Sequence, residues 1–330
     1  LFRARILFLL LPFAIAACGE PDAPAPAPAS SATEGARPIE PPSSAAKQAF
    51  YRGKELYQAD QPVEALAEMR RAVELAPQWD EANLALGKLL LSLAFVKFGT
   101  ATKEHTLLAE AIVHLERAVG LLPGKADPVY WSARAHAAAG KSEEAAQRFR
   151  RALELDPAHK AAVKEYAFLL ESLGETEAAR AQFERACALM PLDDEMRFHL
   201  GLMLEQHDDL EGAREAFLAA LDLNPAHPGP RPRLVTLYHR LGKEAEAEHQ
   251  AAEHERFKPL RTKLAKALAE AQARPRDVQA LLAVAQVYRE IGMPLPARTW
   301  SDRALALAPD DARAQEFVRL LAESNPSTEK

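Results

Sequence analysis

The chain has 330 residues, 48% of them hydrophobic and 27% charged, with a formal net charge of −6 at pH 7. That composition supplies ample apolar material for a core. Its acidic balance argues against a general affinity for nucleic acid, which needs a concentrated basic surface.

In chain order, the first element is apolar. Arg3 and Arg5 precede a run from Ile6 to Ala14, which ends in Ile15, Ala16, Ala17 and Cys18. A short basic region, a short apolar stretch and a small-residue site describe a secretory signal over residues 1–17, too short to span a membrane stably. The tetrapeptide resembles a bacterial lipobox, and the resemblance implies cleavage before Cys18 and lipidation of that cysteine. Several acyl chains would anchor the chain stably where one would not. Gly19 in place of an aspartate implies sorting to the outer membrane, facing the periplasm. Residues 18–45 follow as a lipidated cysteine and a linker rich in Pro, Ala and Ser. That linker has too little apolar surface to offset its ordering entropy and is expected to be disordered.

From residue 46 onward the chain repeats. Pro123, Pro157, Pro191, Pro225 and Pro259 follow one another at intervals of 34 residues, with Pro77 and Pro309 outside them at longer spacings. A constant period of this length means one helix–turn–helix unit copied many times. Ahead of each proline a small, a bulky and a small residue recur, as in Ala145, Phe149, Ala152, then Ala179, Phe183, Ala186, then Ala213, Phe217, Ala220. The first two units carry Ala65, Met69, Ala72 and Ala111, Leu115, Ala118 in the same places. Upstream sits a Leu–Gly pair, Leu86 with Gly87 and Leu200 with Gly201, matched by Gly53. Small residues let two antiparallel helices approach, and the bulky residue fills the space left between them. Gly140, Gly174, Gly242 and Gly292 mark the turn, where a left-handed backbone is required.

This pattern resembles the tetratricopeptide repeat (TPR) family over residues 46–311. The resemblance implies an all-α, right-handed α-solenoid of about seven helix–turn–helix units plus a C-terminal capping helix. The units are expected at 46–79, 80–125 with an insertion, 126–159, 160–193, 194–227, 228–261 and 278–311. An inserted helical segment occupies 262–277, a capping helix 312–323 and a disordered tail 324–330. In the sixth unit Ala251 and His254 stand where a bulky and a small residue are expected, and its helix should run on past Pro259. The insertion in the second unit should make a projecting tip with Leu93, Phe95, Val96 and Phe98 as an apolar contact patch.

Chemistry of the catalytic kind is not legible. The chain has no phosphate-binding glycine loop, serine elbow or paired cysteines at zinc spacing, so no enzyme, cofactor or metal is expected. His249, Glu253 and His254 form a loose cluster that reads as a solvated helix face. His159 and His227 read as exposed residues of Pro-Ala-His turns, and Cys187 as a buried small residue. In the resembling family the first helix of each unit lines a concave groove. That register places Lys54, Tyr57, Lys88, Tyr130, Arg134, Lys164, Phe168 and Phe198 there, with Glu171 and Glu205 farther along. Basic groups near aromatic faces suit a peptide with acidic and apolar side chains. The expected role is a membrane-anchored scaffold or adaptor of the bacterial cell envelope that binds a protein partner and no small-molecule substrate. An assembly factor or holdase-type chaperone for envelope proteins is the alternative.

Overall fold

The computed structural model describes residues 41–95 and 101–324, all of whose regular structure is helical. Cys18, the segments on either side of it up to residue 40, Val96, Phe98 and residues 325–330 lie outside the described residues. Helix α1 (Ser44–Gln58) pairs with α2 (Pro62–Leu75), and α3 (Asp80–Phe95) with α4 (Ala101–Leu121). The same antiparallel pairing joins α5 (Ala126–Ala138) to α6 (Ser142–Leu155) and α7 (Lys160–Leu173) to α8 (Thr176–Leu189). It continues in α9 (Asp194–Gln206) with α10 (Leu210–Leu223) and in α11 (Pro230–Arg240) with α12 (Glu244–Ala273). The last pair is α13 (Val278–Ile291) with α14 (Pro294–Leu307), against which α15 (Ala312–Ser324) packs. The second helix of each pair also touches the first helix of the next, so the hairpins stack in chain order as a solenoid.

Local signals start and stop these helices. Ser43, Asp193, Asp209 and Asp277 each accept a backbone N–H of the first helical turn through a side-chain oxygen. His159 does the same through Nδ1, which accepts the Ala162 N–H at 3.1 Å. The turn between the two helices of a unit needs one residue at positive φ. Gly140, Gly174, Gly242 and Gly292 fill it, and in the first and fifth units Asp60 (φ 59°) and Asp208 (φ 61°) take the same slot. Aspartate tolerates this conformation better than most side chains, which is why the turn survives there without glycine.

Within each hairpin the contact is a bulky side chain against a small one. Phe149, Phe183, Phe217 and Leu115 are fully buried, as are the alanines on either side of them. Gly87 faces Leu115, Gly201 faces Phe217 and Gly53 faces Met69, and alanine takes the equivalent position at the buried Ala133 and Ala167. A Cβ on Gly87 would lie 2.5 Å from Leu115 Cγ, and one on Gly201 would lie 2.5 Å from Phe217 Cε1. The glycines are therefore fixed by close approach of the two helices rather than by backbone conformation. The seventh unit puts Ser301 in the bulky slot, with its hydroxyl donating to the Arg298 carbonyl. The sixth unit keeps Ala247 buried and leaves Ala251 exposed.

Both ends of the described stack carry charged side chains. Where later units pack Leu86 or Leu234 and Leu89 or Leu237 against the preceding hairpin, α1 presents exposed Arg52 and Glu55. On α15, Ala314 and Leu321 face the core while Arg319 pairs with Glu316 and Glu323 on the helix's own surface.

Pro259 does not end its helix. It lies inside α12, a single helix of 30 residues whose second half carries Leu260, Leu264 and Leu268 onto the core under α13. The missing N–H costs one intrahelical bond, and the extra apolar face compensates by burial. No helix among the described residues is long and apolar enough to cross a membrane.

The Gly140 slot gives a clean test, because a Cβ there meets nothing within 4 Å and only backbone strain is added. Gly140→Ala should cost about 1 kcal/mol, read as a lower thermal midpoint by circular dichroism. Gly140→Asp should cost less, since two units already accept aspartate.

Candidate functional site

The first helices of successive units carry a ladder of ion pairs, each joining one hairpin to the next. Lys54 Nζ of α1 lies 3.9 Å from Glu81 of α3, and Lys88 of α3 lies 2.8 Å from Asp127 of α5. Arg134 of α5 reaches Glu165 of α7 at 2.9 Å, and Lys164 of α7 reaches Asp193, the N-cap of α9, at 2.8 Å. From α7 onward the polarity inverts. Glu171 of α7 holds His199 of α9 at 2.9 Å, and Glu205 of α9 faces Arg233 of α11 at 3.7 Å. The four cations expected to await an acidic peptide are therefore already matched by carboxylates of the same chain. Exposed pairs of this type contribute on the order of 0–1 kcal/mol each. Arg134 with Glu165 is the most enclosed, at 15% and 19% side-chain exposure, so removing one partner there would strand a buried charge.

The aromatic residues divide into two sets. Tyr130 is buried and its hydroxyl donates to Glu165 at 2.7 Å, an arrangement in which burial raises the pKa of both groups. Phe168 sits edge-on to Phe183 and to His199, and Phe198 packs on Phe217 and over Gly229, where a Cβ would lie 2.5 Å from its ring. These three rings close the seams between neighbouring first helices. Tyr57 and, six residues earlier, Tyr51 are instead more than half exposed. Trp131 stands between the two sets: its ring lies 4.8 Å from Lys88 Nζ and 4.7 Å from the Arg134 guanidinium, and its Nε1–H donates to Asp127 at 3.1 Å. Tyr51 and Trp131 lie on the same two helices as Tyr57 and Tyr130, and their aromatic type is the signal that finds them.

Two histidines form a network that local sequence gives no sign of. His227 is buried, not an exposed turn residue. Its Nδ1 accepts the Gly229 N–H at 3.1 Å, so Nε2 carries the proton and donates to Glu195 at 3.1 Å. Gly229 of the Pro228–Gly229–Pro230 run lies against the Phe198 ring of α9, and the His227 ring packs 5.0 Å from the same ring. Glu195 also accepts from His199, which stacks on Phe183 with ring centroids 5.3 Å apart. Burial alone would depress the His199 pKa, but Glu171 and Glu195 outweigh it and push it up to about 9. Glu195 is held well below the usual carboxylate range by hydrogen bonds from His199 and His227.

The expected tip is corrected in part. Leu93 is buried against the α3–α4 core because α3 continues its helical register to Phe95, which turns Leu93 inward and leaves Phe95 exposed. Of the helical cluster at His249, Glu253 and His254, Glu253 is engaged by Arg256 at 3.1 Å and approached by Arg231 at 4.0 Å. No group of three or more His, Cys, Asp or Glu placed to hold a metal occurs among the described residues. Cys187 is half-buried beside the core of α8, and burial raises its thiol pKa.

A tetratricopeptide repeat family model matches residues 98–160 and 169–228, and a second model of the same family matches 136–197. Residues 98–228 of the chain are thus tetratricopeptide repeats. No curated protein matches the chain. Among solved structures, MamA from Desulfovibrio magneticus RS-1 is similar at 20% identity, with 54% of this chain and 96% of that one covered and a TM-score of 0.46. YrrB, a TPR protein with an unusual peptide-binding site, aligns at 17% identity over 76% of this chain and 97% of its own, with a TM-score of 0.41. A thermophilic TPR protein of Thermus thermophilus, TTC0263, aligns at 22% identity over 58% of this chain and 98% of its own, with a TM-score of 0.39.

The histidine network predicts a pH dependence with a definite sign. His199 has a folded pKa of about 9 against an ordinary 6.5, so its contribution is complete below about 6.5 and lost as pH rises through 9. Glu195, depressed from 4.5, contributes above that value and loses its effect as pH falls. The thermal midpoint should therefore decline between pH 6.5 and 9 in the native chain, and His199→Gln should flatten that decline.

Proposed function

We propose that this chain is a membrane-anchored adaptor of the bacterial cell envelope that binds a partner polypeptide along the first-helix face of its stack and performs no catalysis of its own. The observation that carries the binding role is the exposed ring set Tyr51 and Tyr57, continued by Trp131 within the self-paired ladder. A face whose charges are already matched offers its aromatic surface and hydrogen-bonding edges rather than a net field. It therefore suits a segment with apolar side chains, with charge setting register rather than strength. Cys18 supplies the anchor and the linker the reach, at roughly 3 Å per residue when extended. The lipid would hold the chain at the outer membrane, facing the periplasm.

A photo-crosslinking residue at Tyr57 should give one discrete adduct in native envelopes, and the same residue at Glu143, on the second-helix side, should not. Tyr51→Ser with Tyr57→Ser should reduce partner capture about tenfold, the scale expected when anchoring rings are removed. Equal adducts at both positions would remove the first-helix face from the proposal. Many adducts with unfolded clients would favour the holdase. Cys18→Ser should abolish incorporation of an alkyne-labelled fatty acid.

A further inference from the structure

One element departs from the repeat in both length and charge. α12 has 30 residues where α2, α6, α8, α10 and α14 have 14 each. From residue 256 to 269 it carries Arg256, Lys258, Arg261, Lys263 and Lys266 and no carboxylate, in a chain whose formal net charge is −6. Its apolar side, with Phe257, Leu260 and Ala267, lies against the core. Helical spacing then puts Lys258, Thr262 and Lys266 in a row on the opposite side, all exposed, with Arg256 and Lys263 along one edge and Arg261 along the other.

Neutralisation within the chain is incomplete. Lys258 pairs with Glu255, Lys263 with Glu290 and Arg256 with Glu253, but Arg261 and Lys266 have no carboxylate partner among the described residues. Glu253 is shared with Arg231 of α11, which is buried with its guanidinium 4.5 Å from the centre of the Phe257 ring and 4.0 Å from that carboxylate. Burial lowers the Arg231 pKa, and the nearby Arg261 and Arg256 lower it further against the pull of Glu253. One Arg261 nitrogen, Nη1, is shielded from solvent without a hydrogen-bond acceptor. A merely solvated helix face would alternate its charges, as α15 does with Glu316, Arg319 and Glu323. Here Lys258 with Arg261 and Lys263 with Lys266 are like charges three residues apart, a spacing that weakens a helix.

We propose that this basic face of α12 is a second docking surface, and that its occupant is an acidic polypeptide segment of a partner protein. Charge complementarity carries the choice. From Arg256 to Lys266 the stripe is about 15 Å long at 1.5 Å per residue, the span of roughly four to five extended residues. The other side chains on its outward side are Pro259, Thr262, Ala265 and Ala269, so it offers no large apolar group to insert into a bilayer. It also offers no exposed aromatic ring on which a base could stack. The site is distinct from the first-helix face and stands or falls independently of it.

The test is fluorescence anisotropy of labelled octaglutamate with the full chain. Binding should saturate and weaken several-fold as salt rises from about 50 to 200 mM. The triple variant Lys258→Glu, Arg261→Glu, Lys266→Glu should lose at least about tenfold in affinity, a scale set by removing three screened charge contacts. The matching glutamine triple variant, which adds no repulsion, should lose an intermediate amount at an unchanged circular dichroism spectrum. Tyr51→Ser with Tyr57→Ser should bind octaglutamate as the native chain does. Affinity unchanged in both triple variants would overturn the proposal. So would tighter binding to phosphatidylglycerol vesicles or to a single-stranded oligonucleotide of equal charge than to octaglutamate.

Discussion

The structure depends on how closely two helices can approach inside one hairpin. At Gly87 against Leu115 and Gly201 against Phe217 there is no room for even a methyl group. That approach leaves each hairpin with one thick, apolar edge it cannot cover alone, and only the next copy covers it. The burial of Phe149, Phe183 and Phe217 at equivalent places follows from repeating one steric solution. Everything on the first-helix face is positioned by that repetition, because it fixes the distance between successive first helices.

On that face, electrostatics acts between hairpins rather than toward solvent. Lys88 is bound to Asp127 and also lies over Trp131, whose Nε1–H returns to the same Asp127. Arg134 is held by Glu165, which Tyr130 also contacts. A second polar junction joins α4, α5 and α6, where Glu116 accepts from Ser132 and His136 through one oxygen and from Arg148 through the other. Such networks fix the angle between neighbours, and hydrogen-bonded charge pairs are stronger than neutral ones. The inversion of the ladder at α7 coincides with the His199, Glu195 and His227 network, so the middle of the stack is cross-linked by polar contacts as well as by packing.

Much of this was legible in the sequence, for an identifiable reason. Prolines, glycines and the small–bulky–small triplet act within one hairpin, and contacts at fixed short spacing leave a periodic trace. The run of α12 past Pro259 belongs to the same class, since its leucines keep a helical spacing. What the sequence did not disclose is pairing between units. Nothing local distinguishes Lys54, which reaches Glu81, from a lysine free to meet a ligand, since the partner lies in the next repeat. The inward turn of His227 and of Leu93, and the use of Asp60 and Asp208 in the glycine slot, were hidden as well. Asp60 and Asp208 put a different residue type into a slot whose physical demand is unchanged, whereas Leu93 lies in an insertion outside the period and His227 is held by Glu195 of a different helix.

The most direct measurement is hydrogen exchange, resolved by helix, on the variant Gly201→Leu. If close approach within each hairpin carries the stack and neighbours couple only to neighbours, amide protection should fall in α9 and α10. It should fall less in α8 and α11, and remain native in α1 to α4. Loss of protection spread evenly over the whole chain, or native protection in α9 and α10 despite the added side chain, would contradict that picture.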